Sequence, residues 1–254
     1  MSETSVAALC LYEESREKFL RTVLESFEMQ DYENKWLVVY DTSAVRGSPD
    51  DISLRPSSSR IIWLSDPAGA GKHVGTLRNR ALSMVSSDII CHFDSDDWSH
   101  CRRITEQVKL LKRSGADVVG YNEALFFDVE KKRNEAWLYS NPNKRYSLGA
   151  SLCYWTRVWR QLPFFDTNIG EDTAFLLERK VSGISSLYDD DRKVVHAPRM
   201  ICRVHGSNVN AQGYREILTG RCNEFTRMPD WDIYCEDILS DCLALPSLLR
   251  GDTK

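Results

Sequence analysis

The chain has 254 residues, of which 42% are hydrophobic and 28% charged, a composition ordinary for a globular protein. Its net charge of -4 excludes a strong overall positive field that would draw it to nucleic acid or to an anionic membrane. Because the chain has no apolar run of membrane-spanning length, no signal-peptide pattern and no C-x-x-C pair among its eight cysteines, we expect a soluble or peripheral cytoplasmic protein.

The first elements predict a βαβ unit. Apolar runs at 6–11 and 36–40 predict buried strands, and apolar residues at helical spacing predict a helix over 15–30, with Ser15 as its cap. The strand–helix–strand order favours a parallel pair, and ligands of such units bind at the carboxyl ends of the strands. Asp41 stands at such an end.

A third strand and a second helix follow. The strand is predicted at 60–64, and the loop at 66–73 is rich in glycine but does not have the spacing of a P-loop. The helix is predicted at 75–85, and it carries Arg78 and Asn79 in its early part. One of these two side chains is therefore a candidate for ligand contact.

A fourth apolar run, at 89–93, ends abruptly in three carboxylates. Asp94, Asp96 and Asp97 fall within four residues. Like charges at the end of a buried strand repel one another and lose hydration unless a cation lies among them. Mg²⁺ and Mn²⁺ take oxygen ligands and often share them with substrate phosphates. This stretch therefore predicts a divalent-metal site.

The second half of the chain mixes hairpin and helix patterns. The predicted elements are a helix at 98–112, paired strands at 123–129 and 137–139, further strands at 117–121 and 149–155, and a helix at 156–161. Another helix begins at Glu171 or Asp172, where two carboxylates would also serve as ordinary helix caps. Strands at 194–196 and 200–205 and a helix at 214–228 complete the prediction.

Several motifs, in this order, resemble those of the family 2 glycosyltransferases with the GT-A fold. The matching segments are 24–30, 36–43, 75–79, 93–97, 170–172 and 203–208. The resemblance covers about residues 6–208. It implies an α/β, Rossmann-like three-layer sandwich with a mostly parallel central sheet, as a GT-A domain at 1–210 and a helical extension at 211–254 that packs on it.

The resemblance also implies a chemistry. It predicts metal-dependent, inverting transfer of a sugar from a nucleotide-diphosphate sugar, here a UDP-sugar, to an acceptor hydroxyl. Asp96 would bind Mn²⁺ or Mg²⁺ directly, and His205 would add a neutral imidazole ligand. Asp172 would be the general base, and its neighbour Glu171 would orient the acceptor.

The remaining candidates would contact the donor. They are Tyr12, Glu13, Asp41, Arg78, Asn79, Asp94 and Ser95. Because successive residues of an extended strand alternate faces, we expect Asp94 and Asp96 to point the same way, about 6.5 to 7 Å apart. Asp97 would then lie on the opposite face, supporting the local fold or capping the next helix.

The acceptor stays open at this stage. It is a hydroxyl on a glycan, a lipid-linked group or another substrate, with modified DNA among the alternatives, and the segment after residue 210 is a candidate homo-oligomer contact. Two alternative functions are a nucleotidyltransferase of related build and an inactive sugar-nucleotide-binding GT-A domain. A calcium loop is not favoured, because Ser99 and Thr105 replace the glycine and glutamate that an EF-hand needs.

Overall fold

The computed structural model describes residues 4–43, 59–128, 135–185, 198–206 and 208, and the backbone of 225–228. Eleven strands lie in these ranges: β1 Val6–Tyr12, β2 Lys35–Asp41, β3 Ile61–Ser65, β4 Ile89–His92, β5 Trp98–Ser99, β6 Val118–Asp128, β7 Glu135–Ser140, β8 Cys153–Trp155, β9 Val181–Ser185, β10 Met200–Val204 and β11 Phe225–Met228. The α-helices of the same ranges are α1 Glu17–Glu28, α2 Val74–Ser83, α3 Arg103–Ser114, α4 Thr156–Gln161 and α5 Glu171–Leu176.

The sheet has a parallel block at one end. Strands β3, β2, β1 and β4 lie side by side in that order, and all of their pairings are parallel. The sheet continues through β8, β6, β7 and β11 by antiparallel pairing. Strands β9 and β10 add to β6 in parallel. The carboxyl ends of β1, β2 and β4 therefore meet at one edge, as the βαβ pattern predicts.

Alternation along β1 divides the core into two layers. Val6, Ala8 and Cys10 pack with apolar side chains of α1 and α3. Ala7 and Leu9 point to the other face, where they pack with α2, α4 and α5. Helices thus cover both faces of the sheet, and the predicted α/β three-layer sandwich is confirmed.

Three predictions of element boundaries differ from the structure. The helix predicted at 98–112 begins only at Arg103, because Trp98 and Ser99 pair with β10. Ser15 does not cap α1, which begins at Glu17; its hydroxyl donates to the Glu13 carboxylate at 2.7 Å. The strands predicted at 117–121 and 123–129 form the single strand β6.

The C-terminal prediction is wrong where the structure describes it. Residues Phe225–Met228 form β11, which pairs with β7, and are not the end of a helix. Most of the predicted extension and the strand predicted at 194–196 lie outside the described residues, so the division of the chain at residue 210 stays a prediction. In the described part of the chain, no helix has the length and hydropathy needed to cross a membrane.

Candidate active site

An open cleft of about 810 Å³ lies at the carboxyl ends of β1 and β4, facing the start of α5. Seven of the predicted site residues line it: Tyr12, Glu13, Arg78, Asp94, Asp96, Glu171 and Asp172. Motifs that are separated by more than 150 residues in sequence therefore share one concave surface. Asp41, Asn79, Ser95 and His205 are not part of its lining.

The three aspartates after β4 lie in a turn. Strand β4 ends at His92, and the Asp97 N–H donates to the Asp94 carbonyl at 3.3 Å. Each of the three carboxylates offers an oxygen within 4.8 Å of the others. The predicted strand alternation is therefore wrong, and Asp97 does not lie on the opposite face. A turn folds all three carboxylates to one side, whereas an extended strand would separate them.

Asp96 has the most polar contacts of the three. His205 Nε2 lies 2.9 Å from its Oδ2, the Asn208 amide donates to the same oxygen at 3.0 Å, and the Arg16 guanidinium lies 3.3 Å away. Burial alone would raise the pKa of Asp96, but the contact with His205 and the charge of Arg16 outweigh it, and the pKa is lowered. Asp96 is therefore the carboxylate held most firmly in its anionic form.

The other two carboxyls are shifted the opposite way. Burial raises the pKa of Asp94, against the attraction of Arg78. Burial, with the neighbouring Asp96 and Asp94, raises the pKa of Asp97 well above its usual range. The Oδ1 of Asp97 accepts the Arg203 N–H at 3.0 Å, which ties the acidic turn to β10. The predicted role of Asp97 in the local fold agrees with this contact.

The donor set fits a hard divalent cation. Neighbouring ligands of an octahedral ion, each about 2.1 Å from the metal, lie about 3 Å apart. His205 Nε2 lies 2.9 Å from Asp96 Oδ2 as a hydrogen-bond partner, and a bound ion would take the place of the proton between them. The carboxylates of Asp94, Asp96 and Asp97 each offer an oxygen to one ion, and carboxylate oxygens and one imidazole suit Mn²⁺ or Mg²⁺. The three aspartates and His205 are therefore the residues that could hold the ion.

Arg78 and Glu171 form a buried ion pair across the cleft. Arg78 Nη1 donates to Glu171 Oε1, and both side chains are more than 90% buried. Although burial acts against the charge of Arg78, Glu171, Asp94 and Asp172 raise its pKa. Arg78 is thus the positive charge that lies among the aspartate turn and the two carboxylates of α5.

Asp172 lies half-buried at the start of α5, directly against Gly149. Its Oδ1 accepts the Thr173 N–H at 2.7 Å. A β-carbon added to Gly149 would overlap the Asp172 carboxylate, so only glycine leaves this carboxylate its place. Gly149 also lines the cleft. Its role has no local signal in the sequence, because its partner comes from another element.

The ends of β1 and β2 form an aromatic and acidic corner. Tyr12 packs edge-on against Trp63, with ring centroids 5.5 Å apart. The buried Asp41 accepts hydrogen bonds from the Trp63 indole at 3.1 Å and from the Ser43 N–H at 2.8 Å. Glu13 is largely exposed, and its Oε1 lies 3.8 Å from Arg16. Of this corner, Tyr12 and Glu13 line the cleft, and Asp41 fixes Trp63 behind them.

Two predicted donor contacts point away from the cleft. The Asn79 amide donates to the Phe164 carbonyl at 2.7 Å, and its oxygen accepts from Trp159 and from the Phe164 N–H. The Ser95 side chain is buried and accepts from Arg16 Nη1 at 3.4 Å. The structure places both residues behind the cleft wall, where they hold elements that line it.

Arg203 is a cleft residue to which the sequence pattern assigned no role. Its Nη2 donates to Thr22 Oγ1 at 3.1 Å, while its buried Nε and Nη1 have no hydrogen-bond partner among the described residues. Burial lowers its pKa to about 10. A buried guanidinium with unpaired donors is costly unless an anion completes it. The sequence feature that could have indicated a role for Arg203 is its position in the matched segment 203–208.

The chain belongs to glycosyltransferase family 2, because the family described as "Glycosyl transferase family 2" matches residues 7–172. That match includes the aspartate turn and ends at Asp172. A search of curated proteins finds no match.

Solved structures share the fold. TarS 1–349 of S. aureus in complex with UDP-GlcNAc is similar with a TM-score of 0.59 and 15% identity, over 80% of this chain and 60% of that one. The chain covers only 37% of the longer TarS structure, at 16% identity and a TM-score of 0.57. The mannosyltransferase PcManGT from Pyrobaculum calidifontis, in complex with GDP-Man and Mn²⁺, is similar with a TM-score of 0.56 and 14% identity, over 94% and 70% of the two chains.

The protein is therefore a member of glycosyltransferase family 2 with the GT-A fold. Membership of this family favours glycosyl transfer over the nucleotidyltransferase alternative, which rested on a similar acidic strand end. The identity to the solved structures is low, so their donors are not transferred to this chain on fold alone.

Proposed function

We propose that this protein transfers a sugar, with inversion, from a UDP-sugar to an acceptor hydroxyl, with Mn²⁺ or Mg²⁺ held by Asp96 and His205. One observation carries the proposal. The anionic Asp96, 2.9 Å from His205, and the carboxylate of Asp172 line or border the same cleft although the three come from distant segments. When bound, the ion would neutralise charge on the leaving diphosphate.

The residues of the chain supply the remaining steps. In this proposal Tyr12 contacts the base of the donor, the buried Asp41 supports that corner from outside the cleft lining, and Arg78 and Arg203 provide positive charge for the phosphates. Asp172 accepts the proton of the acceptor hydroxyl while the oxygen attacks the anomeric carbon. The bond to the diphosphate breaks in the same displacement, so its electron pair leaves with the nucleotide and the anomeric centre inverts. Glu171, held by Arg78, orients the acceptor.

The test separates donor binding from chemistry. We expect Mn²⁺ with UDP or UDP-GlcNAc to raise the melting temperature of the wild type and of Asp172→Asn, but to lose most of this effect in Asp96→Ala. Release of nucleotide from the donor should fall about 100-fold or more in Asp172→Asn, because a general base is removed. GDP and GDP-mannose are measured in parallel, because the two solved relatives carry different nucleotides.

Asp31→Asn is the matched control. Asp31 is an exposed carboxylate before the amino end of β2, remote from the cleft, and its variant should behave as the wild type. Undiminished turnover in Asp172→Asn contradicts the base assignment. Unchanged metal-dependent binding in Asp96→Ala contradicts the metal assignment, and a retained anomeric configuration in the product, read by NMR, contradicts inversion.

The acceptor and the assembly stay predictions. A hydroxyl on a glycan, a lipid-linked group or modified DNA is to be compared in an acceptor screen with the donor that binds. The cytoplasmic location belongs to the same proposal, supported by the free thiols of Cys10, Cys91, Cys153 and Cys202. Sedimentation would test the proposed self-association.

A further inference from the structure

We infer that His92 and Arg103 are positioning residues for Asp172, acting through the turn of Gly149 and Ala150. This inference rests on the proposed role of Asp172 as the general base. Neither buried side chain lines the cleft. Both nevertheless bond to the backbone of the turn on which the Asp172 carboxylate lies.

His92 holds Gly149 directly. Its Nδ1 lies 2.7 Å from the Gly149 carbonyl, and its Nε2 lies 3.2 Å from the Tyr154 hydroxyl. A carbonyl oxygen only accepts, so Nδ1 must carry the proton and Nε2 accepts from the Tyr154 O–H. Both ring nitrogens are thereby used, and the neutral ring has one orientation.

Arg103 holds the next residue of the turn. Its Nη2 donates to the Ala150 carbonyl at 3.0 Å and to the His92 carbonyl at 2.8 Å. One guanidinium nitrogen therefore joins the end of β4 to the turn that follows residue 148. The carbonyl groups that accept from His92 and Arg103 therefore belong to Gly149 and Ala150, and both residues line the cleft.

The contacts of Arg103 are unusual for a buried cation. Its other nitrogens donate to Ser99 Oγ at 2.7 Å and to Gln107 Oε1 at 3.3 Å. All of these acceptors are uncharged, and the side chain is fully buried. A buried charge without a carboxylate partner pays a desolvation penalty that a well-packed apolar residue would avoid. A planar guanidinium that reaches four uncharged acceptors at once with its three nitrogens is the property that Arg supplies here.

The turn at Gly149 affects the chemistry through its contact with the Asp172 carboxylate. The Asp172 carboxylate lies so close to the α-carbon of Gly149 that an added methyl group would overlap it. A displacement of the turn by about 1 Å is enough to spoil a reacting geometry and can cost about 100-fold in rate. The rigid turn therefore sets where the base stands relative to the acidic turn after β4.

The test is a double-mutant cycle with Asp172→Asn. Nucleotide release from UDP-GlcNAc or GDP-mannose with Mn²⁺, whichever binds, gives the rate, and titration of the same donor gives its affinity. His92→Leu should lower the rate about 10-fold or more with donor affinity within about twofold. His92→Asn, whose amide can replace the Nδ1 donor, should restore most of the rate. In the Asp172→Asn background, His92→Leu should add less than about twofold.

His100→Asn is the matched control, because His100 is a buried histidine whose Nδ1 accepts the Arg102 N–H, away from Gly149. Any loss it causes should appear equally in both backgrounds. Equal, multiplicative loss by His92→Leu in both backgrounds overturns the inference, as does a donor affinity that falls with the rate. Full activity of Asp172→Asn alone would instead refute the base assignment.

Crystal structures give a readout that needs no turnover. In His92→Asn, the Asp172 carboxylate should keep its place against Gly149. In Arg103→Lys, it should shift less than it does in His92→Leu. An unmoved carboxylate in His92→Leu contradicts the inference even if no donor turns over. Gly149→Ala, which displaces the carboxylate without touching His92, should reproduce the kinetic loss.

Discussion

Arg203 is a buried cation whose guanidinium is only partly paired by the described residues. Two of its guanidinium nitrogens are buried without a partner in the described part of the chain, and its backbone N–H is held by Asp97. Its side chain packs over the Phe19 ring, 5.6 Å from the centroid. The fold thus positions the cation but does not neutralise it.

Replacing Arg203 should therefore separate stability from binding. We expect Arg203→Met to keep the unfolding free energy of the ligand-free protein within about 1 kcal/mol or raise it, because an unpaired buried charge is removed. Affinity for UDP with Mn²⁺ should fall about 10-fold or more, since charge-assisted bonds to phosphate are lost. Urea denaturation and calorimetric titration measure the two quantities.

Arg21→Met is the control for this prediction. Arg21 is exposed on the neighbouring helix α1 and pairs with Glu25 at 3.0 Å, and its replacement should change neither quantity appreciably. Unchanged UDP affinity in Arg203→Met, together with a large loss of stability, would show that Arg203 serves the fold alone.

At the scale of elements, helix α2 and the loop before α5 hold each other. The Val74 N–H donates to the Asn168 side chain at 2.9 Å, and the Gly75 N–H donates to the Thr167 carbonyl at 3.2 Å. A β-carbon at Gly75 would overlap the Phe165 carbonyl. This close approach brings Arg78, one turn further along α2, to Glu171.

Gly75→Ala should disrupt this contact. Because backbone atoms must move to admit the methyl group, we expect a loss of about 1 to 3 kcal/mol in unfolding free energy and a fall in transfer rate. Gly115→Ala is the control, because it lies outside the cleft lining and its φ of 59° costs about 1 to 2 kcal/mol without a backbone clash, so its transfer rate should stay at the wild-type level. Equal stability and rate in both variants would contradict the prediction, as measured by denaturation and nucleotide release.

At the scale of the whole molecule, the cleft joins both parts of the sheet. The parallel block supplies Tyr12 and the acidic turn, whereas β10 and the turn at Gly149 belong to the antiparallel side. Four buried thiols report on these parts: Cys10, Cys91 and Cys153 in one core layer, and Cys202 beside β6. Burial raises the pKa of Cys10, Cys153 and Cys202 well above the usual value, so reactive thiolate is scarce in the folded state.

Alkylation of these thiols should therefore require opening of the fold. With Mn²⁺ and donor at about 100 times Kd, we expect labelling by iodoacetamide to slow about 100-fold at all four, because a ligand that contacts both parts stabilises them together. Mass spectrometry of labelled peptides reads each site. Labelling of Cys202 at the ligand-free rate while Cys10 is protected would show that the two parts open separately.

Local pattern was sufficient for much of this protein. Continuous apolar runs predicted the parallel strands and the order of the motifs indicated the family, because both signals lie in short stretches of sequence. Asp96, Asp172 and Arg78 were found this way, and all three line the cleft. The helix predicted at the C-terminal end of 214–228 failed because pairing with β7 overrides helical spacing.

The aspartate turn after β4 marks the limit of such reasoning. The residue order is enough to predict that three carboxylates end a buried strand and need positive charge. Their arrangement depends on tertiary structure, because a turn brings Asp97 beside Asp96 and because Arg16 and His205 come from other elements. The same holds for the Asn79 side chain, which points away from the cleft, and for Gly149, which lies against Asp172. Each depends on a contact between residues more than 20 positions apart in the chain.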